Sequence, residues 1–291
     1  MKPNTASRTA QYMALFRAIE TARPADKRLF NDPFAIKFLD ARLKLVTKLS
    51  SAPVVGHFIL KLIHKKGPGA LSSGIARTKY IDDRLERTIQ EGVKQVILLG
   101  AGFDTRSLRL DFLKSTRVIE IDHPDTARFK LQKLKSSIKT LPQNVFTYPV
   151  DFNKQTFDEI AVVCNIHFDL PTTLLWEGVT NYLTARAIDA TLQFTQRFTR
   201  RFNLIFTYID KRVLDHPEDF IGTEKLFKNL QDNEEKWTFG LAPDDLPNYL
   251  KQFDLTLVED LNATDYRNKV MPERTDIAVG FEFYRAAFAK R

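Results

Sequence analysis

The sequence predicts an α/β protein with a mostly parallel sheet. Three largely apolar runs, residues 96–99, 118–122 and 172–177, each lead into a glycine or end at an acidic residue. Strands buried on both faces of a parallel sheet read as such apolar runs, and stretches with helical periodicity separate them here. Open sheets of this kind bind their ligands at the carboxyl ends of the strands. The functional residues are therefore expected directly after each run.

The turn after the first run is the most informative stretch of the chain. Residues 96–99 are followed by Gly100, Ala101 and Gly102, and glycines let the backbone turn sharply and approach a ligand without a Cβ atom in the way. Asp122 ends the next strand, 20 residues after Gly102. An acid at this spacing can accept hydrogen bonds from both hydroxyls of a ribose. The turn therefore predicts a nucleoside cofactor.

The details of the turn indicate which nucleoside is bound. A dinucleotide fingerprint requires a third glycine where this chain has Thr105, so the match to NAD is partial. Asp104 places a carboxylate where a diphosphate would be repelled and a sulfonium or ammonium group would be tolerated. These properties favour S-adenosylmethionine.

Two further strand ends carry acids in the same register. Residues 144–151 form an aromatic and β-branched run that ends at Asp151, and Phe152 follows it. This pair could hydrogen-bond the amine of an adenine and stack against its ring. Glu177 ends the strand predicted over 172–177. Either acid alone could equally be a cap or turn residue, but with Asp122 the set favours a ligand site.

The N-terminal part is predicted to be a helical cap over residues 1–90. Residues 10–64 show helical periodicity, and a helix over 71–90 carries Arg77 towards the first strand. The apolar stretch 53–63 could also be a helix that lies on a membrane surface. A covering helix is favoured because His57 and Lys61 interrupt the stretch.

Residues 91–291 are predicted to form the cofactor-binding core, with an insertion near 211–245. Thr184 is a candidate N-cap for a helix through Arg200, and residues 202–208 give a fifth strand. In the insertion, His216 and Trp237 are candidates to line a substrate pocket, although Trp237 could equally be a core residue. Residues 255–260 and 277–284 are expected to pair as a closing antiparallel hairpin.

Composition excludes several classes of protein. The chain has 291 residues, 43% of them hydrophobic, and its single cysteine, Cys164, excludes an internal disulfide. No signal-peptide core or membrane-length apolar run is present, so a cytoplasmic location is expected. The net charge of +8 is spread along the chain. Because there is no basic block with interleaved aromatics, nucleic acid is not expected as a partner. The charge could attract anionic substrates into the cleft, but a solvated basic surface without a role is the more common explanation.

Several motifs together resemble one family. The chain is similar to class I S-adenosylmethionine-dependent methyltransferases of the leucine carboxyl methyltransferase family, close to bacterial O-methyltransferases associated with polyketide biosynthesis. The resemblance covers most of the chain and implies a Rossmann-like seven-stranded sheet. It depends on motifs at residues 17–20, 31–34, 74–82, 99–106, 120–124, 150–152 and 176–183.

The resemblance also implies roles for individual residues. Arg77 is expected to hold the carboxylate of S-adenosylmethionine, and Asp122 to bind its ribose. His123 is expected near the ribose or the adenine. By the same resemblance Asp151 and Phe152 contact adenine, and Glu177 lies beside the methionine moiety.

The expected activity is methyl transfer to a carboxyl or hydroxyl oxygen of a small molecule. A carboxylate needs no general base near neutral pH, whereas a hydroxyl would benefit from one, and His123, His167 and His216 are candidates. No catalytic residue is assigned, and the five histidines show no metal-ligand spacing. The alternatives are methylation of a protein C-terminal carboxyl group and a binding protein without turnover.

Overall fold

The computed structural model describes residues 8–138, 140–152, 154–232, 236–274 and 279–291. Its strands are β1 (Gln95–Leu99), β2 (Arg117–Asp122), β3 (Val145–Pro149), β4 (Thr172–Trp176), β5 (Phe202–Ile209), β6 (Thr256–Leu261) and β7 (Tyr284–Lys290). The α-helices are α1 (Arg8–Thr21), α2 (Ala41–Ser50), α3 (Pro53–Lys66), α4 (Ala70–Gln90), α5 (Arg106–Arg109), α6 (Pro124–Leu134), α7 (Phe157–Val163), α8 (Ala185–Thr195), α9 (Arg212–Asp215), α10 (Thr223–Asp232), α11 (Leu246–Lys251) and α12 (Ala263–Val270). Short 3₁₀ helices cover Ala35–Phe38, Asp111–Leu113, Thr180–Tyr182, Pro217–Asp219 and Pro243–Asp245.

The strands form one seven-stranded sheet in the order β3-β2-β1-β4-β5-β7-β6. The first five strands pair in parallel, and β7 is antiparallel to both β5 and β6. The strand order reverses between β1 and β4, and ligands bind at such a switch point in open α/β sheets. The predicted Rossmann-like sheet, mostly parallel with an antiparallel C-terminal pair, is confirmed.

Each face of the sheet buries a separate apolar cluster. In β1, Ile97 and Leu99 pack on one face with residues of α7, α8 and α11, whereas Val96 and Leu98 pack on the other with α4 and α12. This alternation follows from the two-residue period of a strand. All five residues of β1 are buried. Both faces are therefore covered, as the continuous apolar runs predicted.

Two elements differ from the sequence prediction by more than two residues. Thr184 does cap α8, where its hydroxyl accepts the N–H of Ala187, but the helix ends at Thr195 and not at Arg200. The second strand of the C-terminal pair was placed wrongly at 277–284, because it spans Tyr284–Lys290. Gly280 and Phe281 have φ values of 126° and 67°, which are incompatible with a strand. Residues 277 and 278 lie outside the described residues.

Helices α1 to α3 form a layer at the carboxyl edge of the sheet. The helical periodicity placed Tyr12, Leu15, Phe16 and Ile19 on one face of α1. The last three are buried, whereas Tyr12 is 48% exposed. The α2–α3 corner is tight, since a Cβ atom at Gly56 would overlap the carbonyl oxygen of Ser50. None of the helices that the structure describes is both long and apolar enough to cross a membrane.

A buried carboxylate joins α1 to the glycine turn. Asp32 is 1% exposed, and its Oδ2 atom accepts from Arg17 Nε at 2.8 Å and from the hydroxyl of Thr105 at 2.7 Å. Arg17 also donates to the carbonyl oxygen of Phe103 at 2.6 Å. Burial alone would raise the pKa of Asp32, but Arg17 and Arg109 outweigh it and lower this pKa. Because the ionised form of Asp32 is stabilised in this way, the stability of the fold depends on the negative charge of this side chain.

We expect the substitution Asp32→Asn to lower the free energy of unfolding at pH 7 by about 3 kcal/mol, because it leaves Arg17 buried without its counter-ion. The pKa of Asp32 is lowered in the folded state, so the stabilisation by the wild-type carboxylate is fully present above the ordinary aspartate pKa of 3.8 and is lost as pH falls from there through the folded-state pKa. The deficit of the variant should shrink in the same range. Urea unfolding at several pH values measures it.

The matched control is Asp26→Asn, since Asp26 is exposed in the same segment. It should change stability by less than about 0.5 kcal/mol. Equal effects of the two variants would show that the buried ion pair does not stabilise the fold.

Candidate functional site

The turn between β1 and α5 has the geometry that its glycines predict. Gly100 and Gly102 have φ values of 71° and 45°, in the left-handed region. A Cβ atom at Gly100 would overlap the side chain of Val179. The N–H of Gly102 donates to Oδ2 of Asp122, the residue at the end of β2. The turn and the acid thus meet directly, as the spacing predicted.

Asp122 is held in place by backbone donors. Its Oδ1 atom accepts from the N–H of His123 at 2.6 Å. Burial raises the pKa of Asp122, while the hydrogen bonds from Gly102 and His123 act in the opposite direction. Each carboxylate oxygen has a second acceptor site, so the group can still accept a pair of hydroxyls. The ring of His123 caps α6 by accepting the N–H of Asp125 at 3.3 Å.

Glu177 lies between two arginines. Its Oε1 atom is 2.9 Å from Arg77 Nε, and its Oε2 atom is 2.8 Å from Arg106 Nη1. Burial opposes the charge of Glu177, but Arg106 and Arg77 outweigh it and lower its pKa. The guanidinium of Arg77 also lies 4.3 Å from the ring centre of Tyr284. Arg77 and Glu177, which the sequence predicted as two parts of one site, therefore form an ion pair.

Asp104 is paired with Arg106, an ion pair that the sequence did not predict. The carboxylate accepts from both the backbone and the guanidinium of Arg106. Burial alone would raise the pKa of Asp104, but Arg106, with Lys130 and Arg17, lowers it to about 2. Because Arg106 neutralises this charge, Asp104 discriminates less against a diphosphate than its position in the sequence suggested.

Thr105 connects the turn to the N-terminal helices. It is 1% exposed, and its hydroxyl donates to Asp32. Thr105 therefore makes a structural hydrogen bond at the position where a dinucleotide fingerprint has its third glycine. Its side chain is not among the described groups that line the large cavity at the turn.

Asp151 and Phe152 lie at the open rim of the sheet. The carboxylate of Asp151 is 3.4 Å from Lys154 Nζ, and Phe152 is 41% exposed. The ring centre of Phe152 is 6.1 Å from that of Phe157. Both residues follow β3, next to β2 and Asp122. The predicted adenine contacts thus lie beside the predicted ribose contact, on the exposed side of the turn.

A cavity of about 840 Å³ adjoins the turn. Six of the residues predicted to bind the cofactor line it: Arg77, Gly100, Ala101, Gly102, Asp104 and Glu177. Five do not: Thr105, Asp122, His123, Asp151 and Phe152. The described part of the predicted site therefore divides into a walled portion around Glu177 and an open portion around Asp122.

Beyond Glu177 the cavity is largely apolar. Most of these lining residues were not predictable from the sequence, because they come from five separate parts of the chain: Tyr12, Met13, Phe16, Leu62, Ile63, Tyr182, Leu226, Leu230, Trp237, Phe281 and Tyr284. Trp237 is 8% exposed and packs near Phe227 and Phe283, so it is both a core residue and a cavity residue. Part of this apolar lining comes from the predicted insertion, through α10 and Trp237.

Four of the residues that line the cavity are exposed lysines: Lys65, Lys66, Lys225 and Lys228. We call this exposed part of the lining the mouth of the cavity. Lys225 Nζ donates to the carbonyl oxygen of Lys65 at 2.7 Å, which links α10 to the end of α3. By contrast, the two acids of the lining, Asp104 and Glu177, are both paired with arginines. The mouth is consequently positive, within the part of the chain that the structure describes.

The candidate histidines do not lie in the cavity. His167 is exposed, and its backbone pairs with Gln95 at the amino end of β1, the opposite edge of the sheet. His216 is exposed, with Nδ1 3.5 Å from Glu218. Neither these residues nor His123 belong to the described lining. Over the described ranges, no cluster of three or more metal-ligating side chains is found.

Arg17, Asp82, Arg106 and Arg109 are site-supporting residues whose roles the sequence did not reveal. Asp82 accepts from Arg106 Nε at 2.7 Å and from Arg109 Nη2 at 2.9 Å. Three of them belong to motifs that carry the family resemblance, and Arg109 lies just beyond one of these motifs. The motifs could therefore have indicated three of these residues, whereas the ion pairs between them become visible only in the folded structure.

Comparison with known proteins agrees with this geometry. A family model described as "Leucine carboxyl methyltransferase" matches residues 10–196. A Frankia alni protein named "Putative S-adenosyl-L-methionine-dependent methyltransferase" is 32% identical over 193 residues, which are 66% of this chain and 65% of that protein. A Streptomyces coelicolor protein with the same descriptive name is 30% identical over 192 residues, with the same coverage. The alignments thus span 65% of the length of both relatives.

Two solved structures share the fold over almost their whole length. A "putative methyltransferase" from Thermobifida fusca has a TM-score of 0.58 at 15% identity, covering 95% of this chain and 94% of that one. A DUF574 family protein from Streptomyces avermitilis has a TM-score of 0.60 at 11% identity, covering 96% and 97%. The family that the sequence motifs predicted is confirmed: the chain belongs to the leucine carboxyl methyltransferase family.

Proposed function

We propose that this protein binds S-adenosylmethionine and transfers its methyl group to a carboxylate oxygen of a small, largely apolar acid. The observation that carries the proposal is the meeting of the glycine turn, Asp122 and the Arg77–Glu177 pair beside one cavity. The family and the names of the relatives support the cofactor. The lysines at the cavity mouth support an anionic acceptor.

The residues of the site fit the parts of this cofactor. Asp122 would accept the ribose hydroxyls, and Asp151 with Phe152 would contact the adenine at the open rim. Arg77 would hold the carboxylate of the methionine moiety, and Glu177 would hold its ammonium group. Each residue would then exchange part of the ion pair between them for a cofactor group with the same charge as its present partner. Gly102 lacks a Cβ atom beside Asp122, which leaves room for a ribose.

The apolar cavity would align the acceptor and exclude water. When bound, S-adenosylmethionine supplies a methyl group on a positively charged sulfur, and the sulfur is the leaving group that keeps the bonding electron pair. A carboxylate oxygen is already ionised near neutral pH and forms the new carbon–oxygen bond without losing a proton. The protein therefore needs to position the acid, and the lysines at the mouth would attract its charge. The absence of histidines from the described lining favours a carboxylate over a hydroxyl.

We expect calorimetric titration to show saturable binding of S-adenosylmethionine and none of NAD. The substitution Asp122→Asn should weaken this binding by about 1–3 kcal/mol, because the ribose loses charge-assisted hydrogen bonds. Asp111→Asn is the control, since Asp111 carries an exposed carboxylate away from the site. Unchanged affinity in Asp122→Asn would place the ribose elsewhere, and binding of NAD alone would exclude the proposed activity.

We expect Lys66→Ala and Lys228→Ala to raise KM for an acid such as dodecanoate or cinnamate by about threefold to tenfold, with little change in kcat. Each variant removes a cation that attracts the acceptor but does not touch the reacting atoms. Lys94→Ala removes an exposed lysine outside the described cavity lining and should leave KM unchanged. Methyl transfer is measured as ester formation, and equal KM in all variants would contradict an anion-binding mouth.

We expect kcat for a carboxylic acid to be nearly independent of pH between about 6 and 8, because no group of the acceptor titrates in this range. A phenol of similar size should be a poor acceptor. A kcat that rises with pH through about 6.5 would instead indicate a histidine base and a hydroxyl acceptor. Transfer to a peptide C terminus but not to small acids would favour the protein carboxyl methyltransferase. Cofactor binding without any transfer would favour a binding protein.

A further inference from the structure

The helical hairpin of α2 and α3 has an unusual charge composition. The chain contains no aspartate or glutamate between Asp40 and Asp82. Within residues 41–66 it carries six lysines and arginines: Arg42, Lys44, Lys48, Lys61, Lys65 and Lys66. The whole protein has a net charge of +8, so about three quarters of that excess is concentrated in this hairpin. A local field of one sign attracts surfaces of the opposite sign.

The hairpin also exposes large apolar side chains. Val54, Phe58 and Leu62 are 71%, 67% and 52% exposed, and Val55 and Leu45 are exposed as well. In α3 these residues recur at intervals of four, so Val54, Phe58 and Leu62 form one stripe along the helix. We call this stripe, together with Val55 and Leu45, the outer face. Single exposed apolar residues are ordinary, but a contiguous stripe indicates an interaction surface.

The inner side of α3 is used by the fold, as the sequence predicted for a covering helix. Gly56 is buried against α2, and Leu60 and Ile63 pack against the cluster that contains Phe38 and Phe103. The outward residues are therefore not needed for this packing. Lys61 and Lys65 follow the stripe at helical spacing, so their charged ends flank its apolar side chains.

We propose that the outer face of the α2–α3 hairpin binds an anionic phospholipid surface. An amphipathic helix with apolar residues on one side and lysines beside them lies in the headgroup region of a bilayer, and it gains both apolar burial and attraction to anionic lipid. A second copy of the chain fits less well, because two such faces would bring like charges together. The face also borders the cavity, since Leu62, Lys65 and Lys66 line the mouth.

The proposal is tested by flotation of the purified full-length protein with vesicles. We expect binding to vesicles of phosphatidylcholine mixed with phosphatidylglycerol, little binding to phosphatidylcholine alone, and release in high salt. Val54→Ser with Phe58→Ser should weaken binding by roughly tenfold or more, through lost apolar burial. Lys61→Glu should weaken it by at least about fivefold, which corresponds to one lysine charge at the surface.

Matched controls distinguish binding through the outer face from non-specific binding to vesicles. Val162 and Val163 are exposed valines of α7, and Lys94 is an exposed lysine outside the hairpin. The variants Val162→Ser with Val163→Ser, and Lys94→Glu, should bind vesicles like the wild type. None of the substituted residues belongs to the described cavity lining, so the affinity for S-adenosylmethionine and the unfolding temperature should not change in any variant.

Three outcomes would overturn the proposal. The first is no binding of the wild type to the anionic vesicles. The second is an equal loss of binding in the control variants. The third is a stable wild-type dimer by light scattering that the double substitution of Val54 and Phe58 converts to a monomer, because the face would then bind a second copy. None of these outcomes depends on methyl transfer, so the proposed activity can fail or hold independently.

Discussion

A set of buried ion pairs fixes the geometry on which the candidate site depends. It runs through Arg17, Asp32, Arg109, Asp82, Arg106, Glu177 and Arg77. Charges withdrawn from water are tolerated only when each has a partner, so moving one member leaves another unpaired. The set joins α1, α4, α5 and the end of β4. The orientation of Glu177 towards the glycine turn is therefore determined partly by helices that precede the sheet in the chain.

The two kinds of cation have different places in this arrangement. Arginines occupy the buried positions, where a planar guanidinium can pair with two carboxylates at once, as Arg106 does with Asp82 and Glu177. Lysines occupy the mouth, where a strongly hydrated ammonium on a flexible stem can stay in contact with water. The walled part of the site is thus nearly neutral, whereas the mouth is positive.

The parts of the fold that were predictable from sequence are those whose determining residues lie close together along the chain. An apolar run, a glycine turn and an acid 20 residues later specify β1, β2 and the contact between Gly102 and Asp122. The ion pairs were not predictable, because Arg77 and Glu177 lie 100 residues apart and only the sheet brings them together. The start of β7 was misplaced because an alternating pattern does not reveal that Phe281 has a positive φ. Similarly, periodicity identified α3 but did not show which of its apolar residues face outward.

The proposed acceptor and the proposed membrane surface have a physical connection through α3. An acid with a large apolar body partitions into a bilayer, with its carboxylate at the headgroups. A mouth bordered by Leu62 and Lys65 on a membrane-bound helix would receive such an acid without passage of its apolar part through water. Methylation removes the charge of the acid, so the attraction of the lysines for it ends with the reaction. The neutral ester then has a more favourable environment in the lipid than at the mouth, and this difference would drive the release of the product.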